Sequence, residues 1–448
     1  MAKSVRIPNA AIQASNLINR IMVSRRNFIK MAGAVPAITL ADKHALFSIN
    51  PSRFNGRGPA IRRIELMNVT GSFYRFVGMN AYDTEPKGIN KVQQIARITL
   101  ADGTEGLTVI GYTRITDGIL AKIKELIGKD PFGFYNWQDE RIAGVAEDLH
   151  PYFYDADYSW IEGAILDALG KVLQVPVWKL FGDAVKAGID TYDGTLYFEE
   201  ISLNGDVDTI ADIGKRVKND GYTAIKMKLG RPSKWLKGEA GVDRDIDVFI
   251  ALREAVGWNF NIMTDANNGY KDQFEWAVKL MKACAPYEMY WMEELFPEDK
   301  SLYLKLRETL LQDGFFIPIA EGENIRRHEQ FTSLLADSVY NFLQPDMRTC
   351  GMSYILLMAH EAKGHPHVKL IPHNWQSQMG LIMSLHAAKI STNINFVEDD
   401  RFHNHALSTT KYQFKGGQWF IPDEPGWGVK LVPDYKQFVV SGSEVVIE

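Results

Sequence analysis

Seven ionisable residues recur along the second half of this chain at intervals of about one strand plus one helix: Lys228, Asp265, Glu293, Glu323, Asp346, His373 and Glu398, with gaps of 37, 28, 30, 23, 27 and 25 residues. Each ends, or lies just past, a short apolar run. Asp265, Glu293 and Glu323 are three carboxylates that repel one another if gathered in one place, unless a cation sits among them. An all-oxygen donor set with room left for water or substrate describes a Mg²⁺ site. Lys226 and Lys228 stand two residues apart, so on a strand both side chains share a face, and inward lysines are poor packing material. To take up a proton as a base at neutral pH, Lys228 must fall by about 3 units from its reference near 10.4, which corresponds to about 4 kcal/mol. The neighbouring Lys226 is expected to supply part of that depression while binding an anionic substrate. Asp346 and His373 come from consecutive runs, the arrangement by which a carboxylate orients an imidazole and raises its basicity. Glu398 is expected to stay protonated among its neighbours and to donate a hydrogen bond to a developing oxyanion.

These residues can meet only if the elements carrying them are repeated in register. The apolar runs are Ala224–Lys228, Phe260–Asp265, Met289–Glu294, Phe316–Ala320, Asn341–Asp346, Val368–His373 and Ile394–Glu398. A first strand near Ile189–Tyr192 makes eight. Between them fall helical patterns at Asp245–Val256, Phe274–Cys284, Leu302–Leu311, Tyr354–Ala362 and Gln378–Ile390. Strand and helix in alternation predict parallel strands, because a parallel neighbour needs a long crossover. Eight such units have the dimensions of a TIM-type (β/α) barrel, whose active sites lie at the carboxyl ends of the strands. The rival, an open doubly wound sheet, lacks a Gly-x-Gly-x-x-Gly after its first strand. Before the barrel, Arg62–Thr70 and Val92–Leu100 look like strands, followed by an Asp-Gly turn at Asp102–Gly103 and helical patterns at Ile119–Ile127 and Ile161–Leu173. The expected division is an export signal and tail in 1–59, an α+β portion in 60–186, the barrel in 187–405, and a carboxyl-terminal segment in 406–448 that folds back on the α+β portion.

Composition narrows the function classes. Fifty Lys+Arg against fifty-five Asp+Glu give a net charge of −5, with no long basic run, so nucleic acid is a poor partner. Two cysteines, Cys284 and Cys350, make neither a disulfide framework nor a thiolate metal site. Near the amino terminus, Ser24-Arg-Arg-Asn-Phe-Ile-Lys30 precedes a weakly apolar run, Met31–Ala41. That order resembles a twin-arginine export signal, which moves folded proteins and implies a periplasmic destination; without it the chain would be cytoplasmic. The run is well short of the ~20 residues of a membrane span, so no stable membrane anchor is expected.

The motifs Lys226-Met-Lys228, Asp265-Ala-Asn267, Trp291-Met-Glu293-Glu294, Ala320-Glu-Gly-Glu323-Asn, Gln344-Pro-Asp346, Pro372-His373-Asn-Trp and Phe396-Val-Glu398 resemble, in order, those of the enolase superfamily, mandelate racemase subgroup. The resemblance runs from about Ile61 to Val432. It implies a modified barrel whose α+β portion is a capping domain, with a loop at Met67–Gly88 that closes over the mouth and selects substrate. It also implies Asp265, Glu293 and Glu323 as Mg²⁺ ligands, Glu323 and Glu293 being chosen over Glu321 and Glu294 by motif register. Lys228 would be the base on one face of the substrate and the His373–Asp346 dyad the base on the other. Lys226 would hold the substrate carboxylate, Glu398 would stabilise the enolate, and Asn267 would touch substrate. Kinship further implies a homo-oligomer, a dimer or an octamer.

The chemistry expected is removal of the proton α to a carboxylate, followed, where a β-hydroxyl is present, by its loss. Dehydration of a polyhydroxy acid sugar to a 2-keto-3-deoxy acid is the favoured outcome, with racemisation or epimerisation of a 2-hydroxy acid as the alternative. A cycloisomerase is disfavoured because it has no evident need of the dyad. From a different class comes a catalytically silent relative that only captures acid sugars.

Overall fold

The computed structural model describes residues 58–337 and 339–448. The twin-arginine segment therefore lies outside the described residues. The described chain opens with an antiparallel meander of β1 (Ile61–Val77), β2 (Gly88–Leu100) and β3 (Glu105–Val109). Side chains of the meander point alternately to two covered faces: Ile64, Leu66, Ile98 and Leu107 turn toward the main core, and Met67, Val69 and Ile95 toward a smaller apolar cluster. The helix Trp160–Leu173 covers this sheet; twelve of its fourteen residues are buried, so it is a core helix rather than a surface one. A small hairpin, β4 (Tyr135–Gln138) and β5 (Arg141–Val145), packs nearby.

Eight parallel strands follow: β6 (Ile189–Leu196), β7 (Ala224–Lys228), β8 (Asn261–Asp265), β9 (Met289–Glu293), β10 (Ile319–Glu321), β11 (Phe342–Leu343), β12 (Lys369–Leu370) and β13 (Phe396–Asp399). Each pairs with the next from β6 to β12, and β13 pairs back onto β6. A Leu370–Ile394 bridge closes the ring, making a TIM-type barrel. Helices Val207–Asn219, Glu239–Val256, Phe274–Cys284, Lys300–Gln312, His328–Ala336, Met347–Glu361 and Gln378–Ile390 form the crossovers. Strands β10, β11 and β12 are shorter than their apolar runs. Pro318, Pro345 and Pro372 lie in or beside those runs, and proline has no N–H to give to a ladder. The helix expected at Tyr354 starts earlier, at Met347, because the Asp346 side chain accepts from the backbone N–H groups of Arg348 and Thr349; Gly351, at φ 74°, breaks it after one turn.

The inside of the barrel is layered. Tyr192, Ala224, Met263, Trp291, Ala320, Phe342, Ile371 and Phe396, one from each strand, pack as an apolar floor. Two residues further along the respective strands stand Lys226, Asp265, Glu293, Gln344, His373 and Glu398, which point the same way because the side-chain period is two.

The carboxyl-terminal segment divides its contacts. β14 (Phe402–Asn404) and β19 (Val445–Ile447) both pair with β1, while β15 (Leu407–Ser408) pairs with β18 (Lys430–Leu431). The hairpin of β16 (Gln413–Lys415) and β17 (Gln418–Phe420) instead adds to barrel strand β6, a contact the sequence reading did not include. The loop expected across Met67–Gly88 is also shorter than anticipated. Met67–Val77 is strand, and its β-favouring Val69-Thr70 and Ser72-Phe73 pairs leave only Gly78–Lys87 to bend over the barrel. No described helix is long and apolar enough to cross a membrane.

Candidate active site

The strand ends bring the predicted residues into one mouth. One carboxylate oxygen each from Asp265, Glu293 and Glu323 lies within 4.8 Å of the others. Oxygens bound to Mg²⁺ at about 2.1 Å lie about 3.0 Å apart when adjacent and about 4.2 Å apart across the ion, so the three would draw together to share one. The donor set is hard and all-oxygen, two of its members are buried, and Glu323 is the most open. Glu321 and Glu294 have other partners: Tyr303 donates its hydroxyl to Glu321, while Asn267 and Asn324 donate amide hydrogens to Glu294 at 3.2 Å each. Of the two pairs of neighbouring acids that spacing alone left ambiguous, Glu293 and Glu323 are the members that cluster with Asp265.

Without an ion, the two lysines supply the positive charge. Lys226 Nζ donates to Glu293 Oε1 at 3.1 Å and lies 2.7 Å from Glu398 Oε1 and 3.9 Å from Asp265 Oδ2. Lys228 Nζ pairs with Asp265 Oδ2. All of these groups are buried. Burial works to lower the Lys228 pKa and Lys226 adds to that, but Asp265, then Glu293 and Glu323, together outweigh both and hold Lys228 above its ordinary value. This reverses the expected depression, which considered Lys226 and left out the carboxylate beside Lys228. Glu398 is reversed too. Burial favours its neutral form, but Lys226 and then His373 hold it below the usual range, so it is ionised here rather than protonated. Glu293, by contrast, is pushed up to about 7, chiefly by burial.

At Glu323 the cluster meets the dyad: His373 Nδ1 lies 2.7 Å from Asp346 Oδ2, and its Nε2 lies 3.2 Å from Glu323 Oε2. Burial opposes the imidazolium, yet Glu323, Glu398 and Asp346 together raise its pKa to about 9. The Asn374 backbone N–H donates to Glu398 Oε2 at 3.0 Å.

Asn267 sits at φ 43° and Glu294 at φ 47°, each just past a candidate ligand and in the left-handed region where non-glycine residues are uncommon. The backbone N–H of Asn267 donates to Asp265 Oδ1 at 2.8 Å. From the loop above, Asn80 Nδ2 donates to Asn267 Oδ1 at 3.1 Å, tying the meander to the barrel mouth.

Several contributors were not read from the sequence. Gln344 Nε2 donates to Glu293 Oε2 at 2.9 Å, and the Trp291 indole donates to the same atom at 3.3 Å. Gln344 could have been found, since it precedes Asp346 by two on the same strand run. Tyr197, whose ring centroid lies 5.1 Å from Lys228 Nζ, and Trp375, which packs on Phe73 and Tyr197, carry no spacing signal.

Residues 208–435 match the family model for enolase C-terminal domain-like proteins. The chain belongs to the enolase superfamily. Within it the similarities are to the mandelate racemase/muconate lactonizing subgroup. The chain is 28% identical over 289 residues to D-galactarolactone cycloisomerase of Agrobacterium fabrum, covering 62% of this chain and 71% of that one. It is 27% identical over 342 residues to 3,6-anhydro-alpha-L-galactonate cycloisomerase of Streptomyces coelicolor, covering 74% and 87%. To arabinonate dehydratase of Saccharolobus solfataricus it is 28% identical over 282 residues, covering 62% and 70%. In fold it resembles galacturonate dehydratase from Geobacillus sp. with a TM-score of 0.73 at 24% identity, over 87% of this chain and 99% of that one. A mandelate racemase/muconate lactonizing protein from Geobacillus sp. Y412MC10, solved with magnesium and tartrate, superposes with a TM-score of 0.74 at 24% identity, over 86% and 97%. This member of the superfamily is an enzyme whose cofactor is Mg²⁺, and its carboxylate cluster fits that ion.

Proposed function

We propose that this enzyme abstracts the proton α to the carboxylate of a polyhydroxy acid sugar and, with loss of the β-hydroxyl, yields a 2-keto-3-deoxy acid. The observation that supports the reading is that Lys228 pairs with Asp265 of the carboxylate cluster while His373, held by Asp346, meets Glu323 of the same cluster. Relatives that act on galactarolactone, anhydrogalactonate and arabinonate support the substrate class.

Magnesium held by Asp265, Glu293 and Glu323 supplies charge stabilisation to the substrate carboxylate as it gains negative charge. Lys226, already poised between two carboxylates, holds a substrate carboxylate oxygen. With Asp265 engaged as a metal ligand, the largest charge that keeps Lys228 protonated would be neutralised, and Lys228 Nζ, once neutral, takes the α-proton from one face. On the other, His373 Nε2 gives a proton to the departing β-hydroxyl, with Asp346 holding Nδ1. Glu398 and Asp346 favour the imidazolium, the form that can donate. Glu398, hydrogen-bonded by the Asn374 backbone, steadies Lys226. The resulting enol becomes the 2-keto acid. The β-hydroxyl and dyad favour dehydration over simple racemisation, which the same two faces would also permit.

A second reading follows from the two cycloisomerase relatives. The same α-proton abstraction on a lactone or anhydro sugar opens its ring, so the sequence-based objection to that outcome does not hold. The test is a panel of acid sugars, their lactones and anhydro forms, incubated with Mg²⁺ in heavy water. Keto-acid formation with exchange of the α-proton, abolished by chelation and restored by Mg²⁺, is expected. Binding without any exchange would make the chain a sugar-capturing relative and sink the catalytic reading. We further infer export through the Arg25–Arg26 segment and assembly as a homo-oligomer, which fractionation of cells and sedimentation of the purified enzyme test directly.

A further inference from the structure

We propose that Arg348 is the positioning residue of the dyad: its guanidinium fixes the Asp346 carboxylate, and through it the His373 ring, so that only the His373 face of the reaction depends on it. Asp346 accepts from every side. The backbone N–H groups of Arg348 and Thr349 donate to its Oδ1 at 2.8 and 3.1 Å. Its Oδ2 takes both His373 Nδ1 at 2.7 Å and Arg348 Nη2 at 2.6 Å, and Arg348 Nε bridges the two oxygens at 3.2 Å each. The remaining arm of the guanidinium, Nη1, donates to the Trp375 carbonyl, two residues past His373. One planar group therefore ties the carboxylate to the loop that carries the imidazole.

The room for this side chain is built into the surroundings. A Cβ at Gly380 would come within 2.8 Å of Arg348 Cγ, and one at Gly111 within 3.1 Å of Arg348 Cβ. Above it, the Tyr112 ring of the capping portion stacks with its centroid 4.5 Å from the guanidinium carbon. Arg348 is buried, so its fork is not a surface ion pair. The carboxyl torsion of an aspartate is intrinsically broad and roughly two-fold. With two backbone donors on one oxygen only, the other oxygen is free to swing unless a second donor holds the plane. Arg348 is that donor, and a lysine in its place could hold one oxygen but not the plane.

The inference rests on the reading of Lys228 and His373 as opposed proton carriers, so its test has one arm that needs no turnover. In the magnesium-loaded enzyme with ¹⁵N-labelled histidine, the His373 ring, assigned by difference from His373→Asn, is expected to show a single form with Nδ1 protonated. In Arg348→Met it should give a mixture of ring states, and Arg348→Lys should restore the single form only in part. The second arm is α-proton exchange on substrates of opposite α-configuration. Arg348→Met is expected to lose about 10–100-fold in kcat on the His373 face, with KM and Lys228-face exchange unchanged. An unaltered His373 spectrum overturns the inference, and so does an equal loss on both faces, which is what a merely structural role would produce. A wild-type enzyme with neither α-proton exchange nor keto-acid formation refutes the proposed function instead, while the spectra still decide the role of Arg348.

Discussion

The floor and the mouth of the barrel are built from the same strands, two residues apart, and they hold together by different physics. At the floor, Trp291 and Phe342 lie 5.0 Å apart, Trp291 and Tyr192 5.5 Å, and the layer is stabilised by removing apolar area from water. One step up, Lys226, Asp265, Glu293 and Glu398 are buried with opposite charges as their neighbours, an arrangement whose desolvation cost rivals its Coulombic gain. The floor is therefore where stability resides. The mouth is kept for chemistry, and it contributes little to stability or opposes it.

That contrast can be broken most sharply at Lys228. With Mg²⁺ saturating, Lys228→Met is expected to lower turnover by about 10²–10⁴-fold, the usual loss on removing a general base, with the thermal midpoint unchanged. The floor counterpart is Phe342→Ala, expected to cost about 3–5 kcal/mol of stability in urea denaturation while Mg²⁺ affinity persists in the fraction that stays folded. Should Lys228→Met destabilise as much as Phe342→Ala, the division of labour fails.

A finer test uses a group held neutral by burial, without an opposite charge. His386 lies on the helix Gln378–Ile390, accepts from the Trp178 backbone N–H at 3.2 Å, and has its other ring nitrogen 2.9 Å from the Tyr412 hydroxyl. Burial, followed by Lys389, pushes its pKa down to about 3. The unfolded chain, with histidine near 6.5, binds that proton more readily. This contribution is therefore complete above about pH 6.5 and is lost as pH falls toward 3, at about 1.4 kcal/mol per pH unit. His386→Gln should flatten that limb of a stability–pH curve. The smallest expected effect is at the exposed Lys215–Asp212 pair, 2.9 Å apart. Lys215→Ala should change stability by less than about 1 kcal/mol and activity not at all.

Much of the mouth was legible because a barrel converts sequence period into spatial proximity: residues about one unit apart converge whatever the loops between them do. That rule led to Asp265 and to the neighbourhoods of Glu293 and Glu323, motif register chose those two over Glu294 and Glu321, and the charge states needed neighbours that neither supplies. Lys228 was expected to be depressed by Lys226, but Asp265 on the adjacent strand dominates. Glu398 was expected to be neutral, but Lys226 reaches it. The contacts of the capping portion were the least legible. The Asn80–Asn267 bond spans 187 residues, and nothing local in either asparagine announces the other. Arg348 stood beside Asp346 in plain view, yet its fork can be recognised only once the Trp375 carbonyl is in place.

The pairing of β1 with β19 bears on how the molecule is made. Asn68 donates its backbone N–H to Ser443 Oγ across 375 residues, and Ile64 is in register with Ile447. A nascent chain thus exposes an unfinished sheet edge on β1 until β19 has been made, several hundred residues later. Such long-range pairing slows assembly, because loop-closure entropy is lost before the contacts can compensate. Refolding should therefore be slow, and trimming the final strand should be felt first at the opposite end of the polypeptide.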